Sequence, residues 1–329
     1  MFKIDISVII PVYGVEKHIE RYAKSIFEQS MTNGVEFIFI DDCSIDNSIP
    51  NLKKIINEYP QLKNQIQIEK LPKNMGLLGA RLAGLKKAKG EYIICNDSDD
   101  WVEPTMLEDM YNKAIVENCD VVIADYFYDT KKGQTIIKQQ PKSLNGLNCI
   151  NQMLKDELHG SWCNKLFKRE LIVNSNIIEP QKGMNMKEDL MITTQLLFHS
   201  KKIGYVNKAF YHYIYHVNSI SNTISQNKLQ SILYAYEFIA KFYNQNNLTD
   251  RKYREALKYF RISNLSIIAY ESCLTNYKFN FGKYLKLLPY IWTHPKIDLV
   301  HQLSLTFRII KLKPIVKLII LARTIKTKI

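Results

Sequence analysis

Two hydrophobic periods alternate along the first 130 residues. Ile6–Ile10 is an apolar, largely β-branched run, the pattern of a strand covered on both faces. Val15, Ile19, Tyr22, Ala23, Ile26 and Phe27 then recur at helical spacing. The same exchange repeats. Val35–Ile40, Ile66–Leu71, Glu91–Cys95 and Val121–Tyr126 read as strands, and Pro50–Tyr59, Leu77–Ala88 and Met106–Val116 as helices. Such alternation predicts an α/β fold, a mostly parallel sheet with helices on both faces. Further on, Asn145–Leu158 and Asp189–His199 read as helical, and Ala209–Val217 as an aromatic strand. Leu229–Tyr243, Arg251–Leu274 and Lys283–Trp292 are helical in pattern.

Composition adds a globular core: 46% of residues are hydrophobic and 23% charged. Charge divides the chain. Residues 1–129 hold 14 basic and 21 acidic side chains, net −7, and residues 130–329 hold 31 and 11, net +20. The two parts are therefore expected to face different partners. Six scattered cysteines show no CxxC spacing, which argues against a zinc ribbon or disulfide framework and fits a reducing compartment. The N-terminal segment lacks the features of a signal peptide, and no uninterrupted apolar run is long enough for a transmembrane span.

The acids cluster where such a sheet binds ligands, beyond the carboxyl ends of its strands. Asp41 and Asp42 follow the second strand, and Asp97, Asp99 and Asp100 follow the fourth. Two carboxylates spaced like Asp97 and Asp99 point to one side of an extended segment and can share a Mg²⁺ or Mn²⁺ ion. Loop and helix-capping aspartates are the competing reading, above all for Asp46.

PVYGVEKHIE at 11–20, DDCSIDNS at 41–48, NMGLLGARLAGL at 74–85, GEYIICNDSDDW at 90–101 and the acidic pair at 188–189 together resemble family 2 glycosyltransferases. The resemblance covers residues 4–220 and implies the A-type, Rossmann-like glycosyltransferase fold, a nucleotide-sugar donor and inversion at the transferred sugar. It maps a nucleobase pocket onto Pro11, Val12, Tyr13, Glu16 and Asp42, with Gly14 where the family usually has asparagine. It places Asn74, Gly76, Arg81, Asp97, Ser98 and Asp99 at the donor, Asp97 and Asp99 as ligands of Mn²⁺ or Mg²⁺, and Asp189 as catalytic base. His216 is a candidate third metal ligand or diphosphate contact; a structural histidine is the alternative. Many relatives carry arginine where this chain has Ile214. Trp162, Lys165 and Glu188 fall on the acceptor side; a core aromatic is the alternative for Trp162, and a helix cap the alternative for Asp189.

These readings give a catalytic domain at 1–225, with a nucleotide-binding half (1–130) and an acceptor half (131–225), and a basic helical C-terminal region at 226–329. Residues 299–329 contain seven bases and no acid. Basic amphipathic segments of this kind lie on anionic membranes; packing as a helical core is the alternative. The expected enzyme assembles a bacterial surface polysaccharide such as capsule or O-antigen. It transfers sugar, most simply from a uridine diphosphate donor, to a glycan or lipid-linked glycan. It is expected in the cytoplasm at the inner membrane face, as a peripheral membrane protein without nucleic-acid partners. The rivals are a nucleotidyltransferase, which would want a glycine-rich basic loop after the first strand, and a degenerate transferase serving as a scaffold.

Overall fold

The computed structural model describes residues 3–175, 177–181, 183–184, 186–216, 219, 223–272, 277–294, 296–310 and 316. The chain divides into two compact units, Met1–Ile150 with Leu158–Ser219, and Asn151–Glu157 with Ile220–Ile329.

The first unit is built on one mixed sheet. In chain order it contains β1 (Ile6–Val12), α1 (Ile19–Phe27), β2 (Val35–Asp41), α2 (Ser48–Glu58), β3 (Ile66–Lys70), α3 (Gly76–Lys87) and β4 (Tyr92–Cys95). After these come β5 (Trp101–Val102), α4 (Met106–Glu117), β6 (Val121–Thr130), β7 (Gly133–Ile137), α5 (Gly146–Leu154), β8 (Lys165–Lys168), α6 (Arg169–Asn174), α7 (Glu188–His199) and β9 (Ile203–Ile214). Strand order is β3-β2-β1-β4-β8-β6-β9-β5, with β7 paired to β6. The strands β3, β2, β1 and β4 are parallel, as the alternation predicts. β8 runs antiparallel to both β4 and β6, while β9 is parallel to β6.

The first four strands pair as they do because β1 and β2 are buried along their whole length and so need cover on both faces. Phe37 and Phe39 point to one face of β2, where Phe27 of α1 meets them edge-on at 5.3 and 6.0 Å. Ile9 and Ile40 point to the other face, against Gly84 of α3, where a Cβ would lie 2.3 Å from Ile9. Pro11 lies beyond the last β1–β4 pair, Ile9 with Cys95, so its missing N–H interrupts no bond on that side.

Several element bounds differ from the sequence pattern. α1 starts at Ile19 rather than Val15, since Val15–His18 form a turn with His18 N donating to Val15 O. α5 stops at Leu154, short of Leu158, because Asp156 takes a left-handed φ of 57°. β9 begins earlier, at Ile203, and ends at Ile214; Val217 lies outside the described residues.

The second unit is helical. It contains α8 (Gln226–Gln245), α9 (Arg251–Glu271), a 3₁₀ turn at Phe281–Leu287, α10 (Leu288–Ile291) and α11 (Leu299–Ile309). Asn151–Glu157 belong to it: Asn151 accepts from Tyr243 Oη at 3.3 Å and Asp156 from Ser263 Oγ at 2.5 Å. Within it, Lys228 Nζ of α8 donates to Glu271 Oε1 of α9 at 2.7 Å, with both side chains at most 10% exposed. The expected basic tail falls largely outside the described residues, including Lys311, Lys313, Pro314, Lys317, Arg323, Lys326 and Lys328. Among the described residues no helix is long and apolar enough to cross a membrane.

A buried ion pair broken from one side leaves the other charge without compensation. Lys228→Met is therefore expected to cost about 3 kcal/mol in urea unfolding. The double change with Glu271→Leu should recover most of that loss, because no charge is then stranded.

Candidate active site

The carboxyl ends of β1, β2 and β4 form the edge where the acidic motifs lie. At the end of β1, Val12 is buried and Tyr13 is 51% exposed. Gly14 has φ +68°, a left-handed conformation that glycine adopts freely and asparagine tolerates, so the departure from the family's asparagine preserves the turn. The next residues are tied to the loop after β2. Glu16 N donates to Asp46 Oδ2 at 3.0 Å, Asn47 N donates to Glu16 Oε2 at 3.0 Å, and Val15 N donates to Ser48 Oγ at 2.9 Å. Burial pushes the Asp46 carboxyl up, but bonds from Ser48 and the Glu16 N–H outweigh it and hold the group below its ordinary value. Asp46 is thus a structural cap at the start of α2.

Asp42 organises the donor-side turn. Its Oδ1 accepts from Met75 N at 2.6 Å and its Oδ2 from Gly76 N at 2.8 Å, while Asn74 Nδ2 donates to Asp42 O at 3.1 Å. Gly76 has φ +73°, which favours glycine at this helix start. The Asp42 carboxylate, 3% exposed, therefore meets the otherwise unpaired N–H groups that open α3. Burial raises its pKa against those two bonds.

The aspartate turn after β4 is fastened from several sides. Ser98 Oγ donates to Pro11 O at 2.6 Å, locking the turn to β1. Asp100, 2% exposed, accepts from Tyr211 Oη at 2.5 Å and from Ile214 N at 2.8 Å, and Tyr211 Oη also accepts from Asp97 N at 3.2 Å. Arg21 Nη2 donates to Asp99 O at 3.0 Å. Asp97 and Asp99 stay only partly buried. Burial and then the charge of Asp97 raise the Asp99 pKa, opposed by His216 and Arg21.

Arg81 of α3 joins this turn to the start of α7. Its guanidinium is buried, with Nη2 donating to Asp97 Oδ1 at 2.7 Å and Nη1 lying 3.6 Å from Glu188 Oε1. Burial works against its charge, but Asp97, Asp189 and Glu188 outweigh that and raise its pKa. Burial first, and the neighbouring Asp189 charge second, push the Glu188 carboxyl up to about 7, with Arg81 opposing. Asp189 opens α7, where its Oδ1 accepts from Leu190 N at 2.8 Å. The fold thus assembles Asp97, Arg81, Glu188 and Asp189 from three separate motifs.

The remaining predicted residues are placed differently. Lys165 is fully buried, and its ammonium donates to His159 O at 2.7 Å, Ser161 O at 2.9 Å and Asn164 Oδ1 at 2.9 Å. Burial pushes its pKa down to about 8. All three donors serve the loop, which docks on α7 through Thr193 Oγ1 donating to Gly160 O at 2.8 Å. Trp162 is 2% exposed and lies 6.1 Å from Phe167, as a core aromatic does. Neither side chain presents itself as an acceptor surface. His216 packs 4.7 Å from His18. His212, within β9, is sandwiched between Trp101 and Phe127, with a carboxylate 2.9 Å from each ring nitrogen.

The aspartate pair fits a hard divalent cation chemically: two carboxylates, each near the other's charge, with oxygen donors of the right type. The wider ligand set is less complete. Among the described residues no three His, Cys, Asp or Glu side chains converge to hold an ion, so His216 does not join Asp97 and Asp99 in such a group. The sequence reading missed Arg21, Tyr211 and the anchoring role of Asp100. Only Asp100 had a visible signal, as the last acid of the NDSDD run.

The chain is similar to known proteins. The pattern that defines Glycosyl transferase family 2 matches residues 7–174. The chain is 32% identical over 272 residues to the putative glycosyltransferase EpsH of Bacillus subtilis (strain 168), covering 80% of this chain and 75% of that one. It is 30% identical over 229 residues to the poly(ribitol-phosphate) beta-N-acetylglucosaminyltransferase TarP of Staphylococcus aureus (strain N315), covering 68% and 66%. The crystal structure of S. aureus TarS 1–349 in complex with UDP-GlcNAc shares the fold at a TM-score of 0.67 and 18% identity, over 97% of this chain and 91% of that one. A buried sheet edge bearing two acidic motifs, matched over half its length by one family pattern, identifies this chain as a member of glycosyl transferase family 2 with the A-type fold.

Proposed function

We propose that this glycosyltransferase is an inverting, metal-dependent enzyme that moves a sugar from a uridine diphosphate donor to a hydroxyl of a glycan or lipid-linked glycan in bacterial surface-polymer synthesis. The supporting observation is the buried Arg81 guanidinium between Asp97 and Glu188, which joins the donor-side turn to the start of α7. The relatives point the same way: TarP is named for N-acetylglucosaminyl transfer to poly(ribitol-phosphate), and TarS was crystallised with UDP-GlcNAc. The scaffold alternative has no observation in its favour, since Asp97, Asp99 and Asp189 are all present.

In this reading Tyr13, Glu16 and the Asp42-capped turn frame the nucleoside. Asp97 and Asp99 hold the cation, and the exposed Arg21, beside Asp99 O, supplies the positive charge that Ile214 cannot. When bound, Mn²⁺ or Mg²⁺ would offset charge on the departing diphosphate, as a Lewis acid does without needing a proton donor. Asp189 takes the proton of the acceptor hydroxyl. The freed oxygen pair forms the bond to the anomeric carbon as the bond to the diphosphate oxygen breaks, so a single displacement inverts that centre. Glu188 lies beside the base on the acceptor side. Lys165 acts indirectly, by holding the 159–165 loop against α7.

Two separate losses test the roles. Thermal shift with a panel of UDP-sugars and Mn²⁺ is expected to find a stabilising donor, since a ligand that binds only the folded state raises its stability. Asp99→Ala should abolish that shift. Asp189→Asn should keep it and lower transfer by about 10²–10⁴-fold, the usual worth of a general base. Transfer at the wild-type rate in Asp189→Asn would show the base to be another group.

Glu188 gives a pH signature. Its folded pKa of about 7 lies above the ordinary carboxylate value, so the folded state keeps a proton that the unfolded state releases. The resulting stabilisation is present below the unfolded value and is lost as pH rises through about 7. Wild type should therefore lose stability relative to Glu188→Gln between pH 5 and pH 8, by on the order of 1 kcal/mol or more. Parallel denaturant curves of the two proteins across that range measure it, and curves that keep a constant gap would refute it.

A further inference from the structure

The segment from Phe281 to Lys296 has two faces. Helical backbone continues from the 3₁₀ turn through Leu287, Leu288 and Trp292, all in the right-handed region. Tyr284, Ile291 and His294 are buried, at 8%, 0% and 4% exposure. Leu285, Lys286, Pro289, Tyr290, Trp292, Thr293 and Lys296, interleaved with them, are all exposed. That outward face is not the polar face of an ordinary surface helix. Leu285 is 54% exposed, Tyr290 42% and Trp292 48%, and Leu299 at the start of α11 is 60% exposed.

Charge tells what suits this face. Residues 272–299 contain Lys278, Lys283, Lys286 and Lys296 and one acid, Asp298, whose carboxylate caps α11 by accepting from His301 N at 2.9 Å. Lys258 of α9 adds a further cation, its Nζ 3.6 Å from the centre of the Tyr290 ring. Exposed Trp, Tyr and Leu among lysines match the boundary of an anionic bilayer. There aromatic rings settle at headgroup depth, leucine enters the acyl region, and lysine stems extend so that ammonium groups meet phosphates. A protein partner of the same charge preference would need acids to match the lysines, whereas a bilayer supplies both the apolar layer and the anionic plane.

We propose that the outward face of residues 285–299, and not only the basic C-terminal tail, is a membrane-contact surface that seats this chain on anionic lipid. It goes beyond the glycosyl-transfer reading and does not depend on it, because the contact involves neither donor nor acceptor.

The test is co-sedimentation of the full chain with vesicles of phosphatidylglycerol and phosphatidylcholine in equal parts, in 0.1 M salt. Wild type is expected to bind these and to bind pure phosphatidylcholine at least tenfold more weakly. The double variant Leu285→Ser, Trp292→Ser should lose at least tenfold in affinity for the anionic vesicles while keeping its melting temperature and its thermal shift with UDP and Mn²⁺. Trp292 emission should move to the blue on binding in wild type, against the fixed background of Trp101 and Trp162. Absence of wild-type binding overturns the proposal. So does unchanged binding by the double variant, which would assign the contact to the tail alone. A face that joins two copies instead would show as a wild-type dimer that the variant dissociates, without vesicle binding, and that result also overturns it. Loss of the UDP shift in wild type would count against the transfer reading and leave the lipid result standing.

Discussion

A single buried cation holds the candidate site together. Arg81 is 4% exposed, and a guanidinium without water needs carboxylates at close range. It finds Asp97 from the turn after β4 and Glu188 from the first turn of α7. These segments are far apart in the chain, and neither pairs with the other as a strand. The planar fork of arginine can serve two carboxylates at once, which a lysine ammonium does with less geometric control. The same pairing limits the acids. With two carboxylates and Asp189 around one positive charge, burial keeps Glu188 partly protonated near neutral pH, and the net charge in the cluster stays small.

Around that centre, the fold divides its acids into anchors and working groups. Asp42 opens α3, Asp46 opens α2 and binds the Glu16 N–H, and Asp100 secures β9 through Tyr211 and Ile214. Their lone pairs are committed to backbone N–H or hydroxyl donors. Asp97, Asp99 and Asp189 keep lone pairs that no such donor fills in full, and the proposed chemistry falls to these. Anchored and working acids sit side by side in the run after β4, with Asp100 the anchor and Asp97 and Asp99 the working groups. Each motif therefore carries its own support: Ser98 on Pro11 and Tyr211 on Asp97 N fix the turn whose carboxylates remain available.

The parallel half of the sheet was legible because β1, β2 and β4 are buried on both faces and so read as nearly continuous apolar runs, interrupted inside the strands by Ser7 and Glu36, which hydrogen-bond each other. The antiparallel additions were not. β5 has two residues and β8 has four, too few for a period to show. Asp97 and Asp99 could be found from their place after a strand. Arg81 could be placed at the donor by its motif, yet its partners could not be read: burial turns it towards two carboxylates. Lys165 and Trp162 were expected on the acceptor side because the run SWCNKLFK resembles the family's acceptor-side segment. The turn at 159–165 instead folds the lysine onto its own carbonyls, a choice set by backbone geometry. The bond from Tyr211 to Asp100 spans 111 positions and leaves no local trace.

The account depends on Arg81 serving both carboxylates, so the most direct measurement is made on Arg81→Lys. With the UDP-sugar that stabilises wild type, the rate of donor turnover and the donor affinity are measured for both proteins. A point charge that cannot span Asp97 and Glu188 should lower turnover by at least about tenfold, since a misplacement of about 1 Å at reacting groups can cost about 10²-fold. It should also weaken donor binding, with the fold intact by circular dichroism. Turnover and affinity within twofold of wild type would show that the two acidic motifs do not need a shared guanidinium.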